Sequence, residues 1–469
     1  MSVFYPRAGC QLTVVFDGRG AANKTFTLDH VRPKTCKVSR NGYHEADTWH
    51  MTFDSRILPI DPEGIASIHA KIYMWDSGGD ENQEWQIEEN EIIVGLADED
   101  SIEIGKNQEL VISGRDYTSV LDPEWDTKIQ IPAGIPLDKA VQFCADKAAP
   151  LGTTARFKVV WNASVDPVIS AGAARSTKRK GMWIKPGKTT WDVIYDLCIQ
   201  HGFIVFIRGS TIIISDPRTQ TKESLAKAPV VTHGVDLITL HVKRKLAKEK
   251  VPQIKLVYWD AKTKQKFEVI YPPKGQKLTT GLGLKKNEIE TLPAPIYCHD
   301  KDSALRFAKM RWELLARSEA SYTFTTRHLA VEQPNNSVGV PETGEVFNAP
   351  TEFDMFKLRE GDAIGINFDP FNGEEIRALN YAQRAQFLEN LGFKPRLAAF
   401  VATNIERLNQ FKQPYYVKRV DYDFDQKDGI TIEVEAVNFA YERREIAYAD
   451  SFDPAINSSS APDAITGAS

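Results

Sequence analysis

The sequence predicts an α+β chain, mainly β: two β-barrel domains bracketing a small helix–hairpin domain, with a helical insertion near the C-terminus. Three observations carry this expectation. Short runs of period-two alternation crowd residues 1–125 and return after about residue 230. Helical periodicity concentrates between them, in 133–217. The stretch Thr189 to Pro217, TTWDVIYDLCIQHGFIVFIRGSTIIISDP, passes from a helix to two almost wholly apolar runs with no reactive group in it. At 469 residues the chain exceeds one hydrophobic core, and ~150 residues per domain gives about three. The boundaries read as 1–125 for the first β domain, 126–220 for the helix–hairpin domain and 221–450 for the second β domain, with the insertion at 373–411 and a flexible tail at 451–469.

In the first domain, ADTWHMTFDS sets Trp49, Met51 and Phe53 on one face and Thr48, His50 and Thr52 on the other, a strand with one buried side. Before it, in TCKVSRNGYHEA, Asn41-Gly42 is a turn dipeptide. CQLTVVFD, SIHAKIYMW, NEIIVGLA and ELVISGRDYTSVLD are further strands. Short strands at this spacing predict a barrel or sandwich.

In the middle, Leu137, Ala140, Val141, Cys144 and Ala148 form one helical stripe. Trp191, Ile194, Leu197 and Cys198 form a second, with Thr189 or Thr190 as cap, Asp192 in the first turn and Gly202 as the stop. FIVFI and TIIIS then flank Arg208-Gly209-Ser210, a hairpin loop with glycine where φ turns positive. Both strands are apolar on both faces, so one face meets the helix and the other the rest of the protein. LDKAVQFC and WDVIYDLC share apolar, Asp and Cys positions at equal offsets. A small internal duplication and chance similarity both account for that.

The last domain reads as a hairpin around Asp260 to Lys264, a helix with the stripe Ala304, Phe307, Ala308, Trp312 and Leu315, then a strand with Tyr322 and Phe324 on one side. Gly361-Asp362 precede another strand. The insertion places Ile376, Leu379, Leu388 and Leu391 on an apolar face and ends at Gly392. In the closing hairpin Ile430, Ile432, Val434 and Ala436 face in, while Thr431, Glu433 and Glu435 face out. The last residues are small and polar, with too little apolar surface to offset ordering entropy.

Composition narrows the function. With 58 basic and 63 acidic residues the net charge is -5, so no domain-scale basic excess points to nucleic acid or acidic lipid. The longest apolar runs, such as Phe203 to Ile207, fall far short of the ~20 residues of a membrane span. The N-terminus lacks the charged and apolar regions of a secretory signal. Cys10, Cys36, Cys144, Cys198 and Cys298 are scattered and form no CxxC pair, which predicts neither a disulfide framework nor zinc, and synthesis in a reducing cytoplasm.

Motifs with chemistry are sparse. No GxxxxGK[ST], GxSxG or HExxH occurs. The glycine-rich FDGRGAANKTF and GLGLKKNE lack nucleotide-loop spacing and read as surface turns. His299, Asp300 and Asp302 read as a helix cap and its first turn rather than a metal cluster. DSGGDENQE (76–84) and DPFNGEE (369–375) lack EF-hand spacing and read as solvated loops. RSTKRKG (175–181) and KRKLAKEK (243–250) read as solvated turns or an interface rim, with a weak polyanion patch as the other reading. No catalytic, cofactor-binding or metal residue is expected.

Several pieces together resemble the baseplate hub proteins of tailed bacteriophages. They are VSRNGYHEADTWHMTFDSRILPIDP, LVISGRDYTSVLDPEW, the helix–hairpin from Thr189, and LREGDAIGINF with YYVKRVDYDFDQKDGITIEVEA. They span about 35 to 440, and their order carries the likeness. The resemblance implies two barrels similar to the tail-tube protein, as in the N-terminal part of type VI secretion spike proteins. It implies a homotrimer whose six barrels match a sixfold tube above and a threefold spike below. Implied partners are the tail tube or distal tail protein, the central spike protein and a tape measure protein in the channel. DNA would pass without specific binding, and no membrane is involved. The setting implied is the virion tail baseplate, a late structural component assembled in the host bacterial cytoplasm, with no cofactor and no enzyme activity. The insertion at 373–411 has no counterpart in that pattern, and no lysozyme-like or peptidase-like region follows residue 450. A carbohydrate- or receptor-binding tail module, from the nine tryptophans, and a cell-wall hydrolase, from the many carboxylates, are the alternatives.

Overall fold

A computed structural model describes residues 5–16, 25–42, 45–55, 65–78, 84–103, 108–124, 129–132, 135–147, 156–162, 181–184, 186–199, 203–215, 228–232, 235–244, 253–260, 265–271, 289–293, 320–333, 338–339, 346–347, 351–367, 380–390 and 414–437, with scattered positions in 301–312 and 394–398. The chain forms two compact units, Met1–Val242 with Tyr322–Ala436, and Lys243–Ser321 with Val437–Ser469.

The first module holds β1 (Pro6–Phe16), β2 (Thr25–Val31), β3 (Thr35–Asn41), β4 (Thr48–Asp54), β5 (Ile65–Asp76), β6 (Glu91–Glu103) and β7 (Glu109–Asp116). Every pairing is antiparallel, in the order β2-β1-β5-β6-β7-β4-β3. The expected alternation is present: Trp49, Met51 and Phe53 are buried and their neighbours are not. β2 was not expected from the sequence: Phe26 and Leu28 alternate in TFTLDHV, but nearly all of the strand faces outward, Phe26 included.

A turn of helix α1 (Thr118–Leu121) leads to the middle region. It contains β8 (Ile129–Pro132), α2 (Leu137–Ala145), β9 (Lys158–Asn162), β10 (Gly181–Ile184), α3 (Thr190–Ile199), β11 (Ile204–Arg208) and β12 (Thr211–Ser215). The α3 stripe is buried as expected, and the Thr189 hydroxyl caps the helix by accepting from Asp192 N–H at 3.0 Å. Ala148 and Gly202 lie outside the described residues. The loop of the hairpin is Gly209-Ser210, with Gly209 at φ +52°, and Arg208 belongs to the strand. Val205, Ile207, Ile212 and Ile214 join both helices in one core, with Leu137, Ile194 and Trp191. The other face divides: Ile204 and Phe206 are buried, but Ile213 is only half-buried and Val160, beside it on β9, is exposed. Each half of this region runs strand–helix–strand (β8-α2-β9, β10-α3-β11), and β8 pairs with β10, the arrangement a duplication would leave.

Next come β13 (Val230–Thr232) and β14 (Leu237–Arg244), then β15 (Gln253–Asp260), β16 (Gln265–Tyr271) and β17 (Ile289–Pro293) of the second unit. There, β15 and β16 form the expected hairpin, and Ala304, Ala308 and Trp312 pack on Ile254, Leu256 and Val269. Leu315 lies outside the described residues. The chain continues with β18 (Ala320–Thr326), β19 (Ala330–Gln333), β20 (Val338–Gly339), β21 (Val346–Phe347), β22 (Thr351–Asp354) and β23 (Ala363–Asn367). After α4 (Tyr381–Asn390) follow β24 (Pro414–Asp425) and β25 (Gly429–Val437). Of the insertion's apolar set, Leu388 in α4 is buried; Ile376, Leu379, Leu391 and Gly392 lie outside the described residues, as does the tail from 438.

The second module runs β14-β18-β25-β24-β23-β13-β19-β22. Matched in chain order, β13, β14, β18, β23, β24 and β25 stand for β1, β3, β4, β5, β6 and β7. Both sheets then have the same strand order, and β19 occupies the place of β2. One direction is different: β13 is parallel to β23 where β1 is antiparallel to β5. Neither sheet closes into a barrel among the described strands. The outer edge of β3, which closure would return to β2, pairs instead with β24, antiparallel from Arg419↔Asn41 to Asp425↔Thr35. One ladder thus joins the two modules.

Candidate functional site

Side chains cross that ladder in register. Ile112, Met51, Cys36 and Phe424 form one buried row over β7, β4, β3 and β24, and Trp49, Val38 and Tyr422 form part of the next. Continuing the inward phase of β3 and β7 places Arg40 and Asp116 in the interior, where both are buried. The apolar rows therefore end in an ionic one.

The segment from Asp354 to Asp362 supplies its counter-charge. Asp354 accepts from Phe356 N–H at 2.9 Å and caps a single 3-10 turn, Met355–Lys357. Gly361, at φ +91°, then turns the chain into β23, with its N–H donating to Val417 C=O at 2.9 Å. Between them stands Glu360, 2% exposed, whose carboxylate takes Arg40 Nη2 at 3.0 Å (Oε2) and 3.2 Å (Oε1). Arg208, at the tip of the β11–β12 hairpin, approaches the same carboxylate at 3.8 Å. Arg359 donates to Glu91 C=O of β6 at 3.3 Å. The Tyr422 hydroxyl lies 3.2 Å from Leu358 C=O and 3.3 Å from Met355 C=O. One short segment of the second module thus touches the first module, the hairpin and the joining strand.

The electrostatics follow from burial. Burial alone lowers the Arg40 pKa, but Glu360, Tyr422, Asp47 and Asp362 more than offset it, and the net shift is upward. Arg359 is pushed down to about 10 by burial and by Arg40. Burial lifts Asp116 to about 7, against hydrogen bonds from Thr118, and Asp362 to about 6. Asp47 is also raised, by burial and then by Asp116, although Asn41 N–H donates to it at 2.6 Å. The arrangement is a buried ion cluster with no activated nucleophile. Its chemistry is that of a lock: removing one member strands the others in low dielectric.

Beside the hairpin tip lies a cavity of about 360 Å³ lined by His69, Lys71, Glu91, Val94, Tyr117, Arg208, Gly209, Ser210 and Thr211. His69 Nδ1 and the Tyr117 hydroxyl are 3.2 Å apart, and burial holds the imidazole pKa below its ordinary value.

The motifs weighed in the sequence stay apart from this site. Asp76 accepts from Tyr5 N–H at 2.8 Å and Gly78 N–H at 3.1 Å, so it serves a turn. Residues 369–375, 281–288, 17–24 and 175–180, with His299, Asp300 and Asp302, lie outside the described residues. Lys243 and Arg244 end β14. Among the described residues no group of three or more His, Cys, Asp or Glu could hold a metal ion, and no helix is long and apolar enough to cross a membrane. Cys10, Cys36, Cys144 and Cys198 are free and buried, and burial raises each thiol's pKa. The sequence reading missed the ion cluster. Its signal was phase: Arg40 follows Cys36 and Val38, and Asp116 follows Leu110, Ile112 and Gly114, at spacing two.

No protein-family model matches the chain, and no curated protein matches it in sequence. Solved structures do. A tail protein from Neisseria meningitidis MC58 is similar at TM-score 0.53 and 11% identity, over 92% of this chain and 97% of that one. The 43 kDa tail protein of prophage MuSo2 from Shewanella oneidensis is similar at TM-score 0.47 and 12% identity, over 92% and 98%. The E. coli c3393 protein, a type VI secretion component described as similar to the T4 tail proteins gp27 and gp5, gives TM-score 0.45 and 9% identity, over 92% and 77%. The first of these likenesses establishes a shared fold over nearly the whole of both chains.

Proposed function

We propose, from a fold shared with a tail protein, that this chain is the structural hub of a phage or phage-like tail baseplate. Three copies form a ring that adapts a sixfold tail tube to a threefold central spike. The observation that carries this reading is one strand order occurring twice in a single chain, in two modules joined edge to edge by β3 and β24. Two like bodies per chain supply six positions from three chains, and a heterologous contact repeated around an axis closes such a ring.

In this reading the ion cluster around Glu360 holds the two modules and the hairpin in one geometry. The role is architectural, with tube or distal tail protein above, spike below and a tape measure protein in the channel. The virion tail is its location. Trp49, Trp75, Trp85, Trp191 and Trp312 are all buried, which disfavours sugar stacking on them as the purpose of the tryptophans.

Native mass spectrometry of the purified chain at micromolar concentration tests the reading. A species of about 158 kDa, three times 52.7 kDa, is expected. Monomer alone would contradict it.

A further inference from the structure

Of the strand edges of the first unit that lack partners among the described residues, two correspond to the two edges that join the modules. β24 pairs with β23 only through Pro414, Tyr415 and Tyr416; beyond that, Arg419–Asp425 is free on the same side and takes β3. β6 is built alike. It pairs with β5 from Glu91 to Leu96, and beyond that Ala97–Glu103 pairs only with β7. The counterpart of β3 is β14, which pairs only with β18. In the order shared by the two modules, β14 and the end of β6 are therefore related as β3 and the end of β24 are.

Charge and exposure agree with the correspondence. In the ladder already formed, β3 is the basic strand and the end of β24 the acidic one, with Lys37 meeting Asp423 at 2.8 Å. β14 ends in His241, Val242, Lys243 and Arg244, and the end of β6 carries Asp98, Glu99, Asp100 and Glu103. Ile238 on β14 is 56% exposed and Val235, just before it, 64%. An exposed, partly apolar, unpaired edge is a template for another strand.

We propose that the outer edge of β14 in one copy pairs antiparallel with Ala97–Glu103 of β6 in the next, continuing between chains the ladder that β3 and β24 make within one. The occupant of each edge is a second copy of this chain. Each copy offers one edge of each kind, so the contact is head-to-tail and closes at three copies on the hub reading, on which this inference rests.

The test uses the full chain in three forms. In the register of β3 and β24 the end of β14 faces the start of the free β6 segment, so one form carries Lys243→Glu with Arg244→Glu, the second Glu99→Lys with Asp100→Lys, and the third all four changes. Sedimentation and light scattering read assembly, and hydrogen exchange reads the strand amides. Each pair of changes sets like charges opposite one another and weakens assembly by roughly 100-fold. The fourfold change restores complementarity and assembly. In the unmodified protein, amides of 97–103 and 237–242 gain protection on going from dilute to assembled, a readout that needs no variant to fold. Trimers that persist in both charge-reversed forms, or assembly without protection at these strands, overturn the pairing and leave the ring standing. An unmodified chain that stays monomeric overturns both.

Discussion

Asp116 sits at the inner end of β7 with a carboxyl that titrates at about 7, raised mainly by burial. Its ordinary value is ~3.9, so between roughly pH 4 and 7 the folded chain holds a proton that the unfolded chain has released. Stability from this group is complete below pH 4 and is lost as pH rises through 7. Asp362, lifted to about 6, acts in the same direction. His69, whose pKa burial lowers, acts oppositely below about pH 6.5. Asp116→Asn removes one term while keeping an oxygen that can accept from Thr118 N–H, now at 3.0 Å. Relative to that variant, the unmodified chain should lose roughly 2 kcal/mol between pH 5 and pH 8. Urea titrations at the two pH values measure the difference. A gap that does not change with pH would mean that Asp116 is ionised throughout. The residues around it were legible only in phase. Nothing in VSRNG says that Arg40 meets a glutamate 320 positions later, since ion pairs between distant strands leave no local period.

Elements with a strong local pattern could be read directly. β4, β7 and β25 alternate because one face is buried, and α3 shows its stripe and its cap within ten residues. β2 alternates as well, in Phe26 and Leu28, yet is mostly outward-facing, so its period did not report a buried face. The pairing of strands was harder. Alternation says that a strand has an inner face, not which edge it offers, so barrels were expected where β3 in fact joins β24. The docking of α3 is open to a direct test. Trp191 is 4% exposed and shares a core with Val205, Ile207, Ile212 and Ile214. Trp191→Ala should cost about 3–5 kcal/mol, as other large truncations in cores do. A neutral result in chemical denaturation would mean that helix and hairpin are not packed together.

At the scale of the molecule, the account depends on equivalence between the two β modules. Their common strand order was invisible in the sequence because long segments separate the matching strands: 245–319 lie between β14 and β18, and 368–413 between β23 and β24. The chain order of β region, helix–hairpin and β region was readable without them. Rotationally averaged electron micrographs of the purified, assembled chain test the central claim most directly. The account predicts a closed annulus with threefold symmetry and six similar lobes around a channel. A closed ring of any other symmetry, or three lobes of one kind alternating with three of an unrelated form, would contradict it.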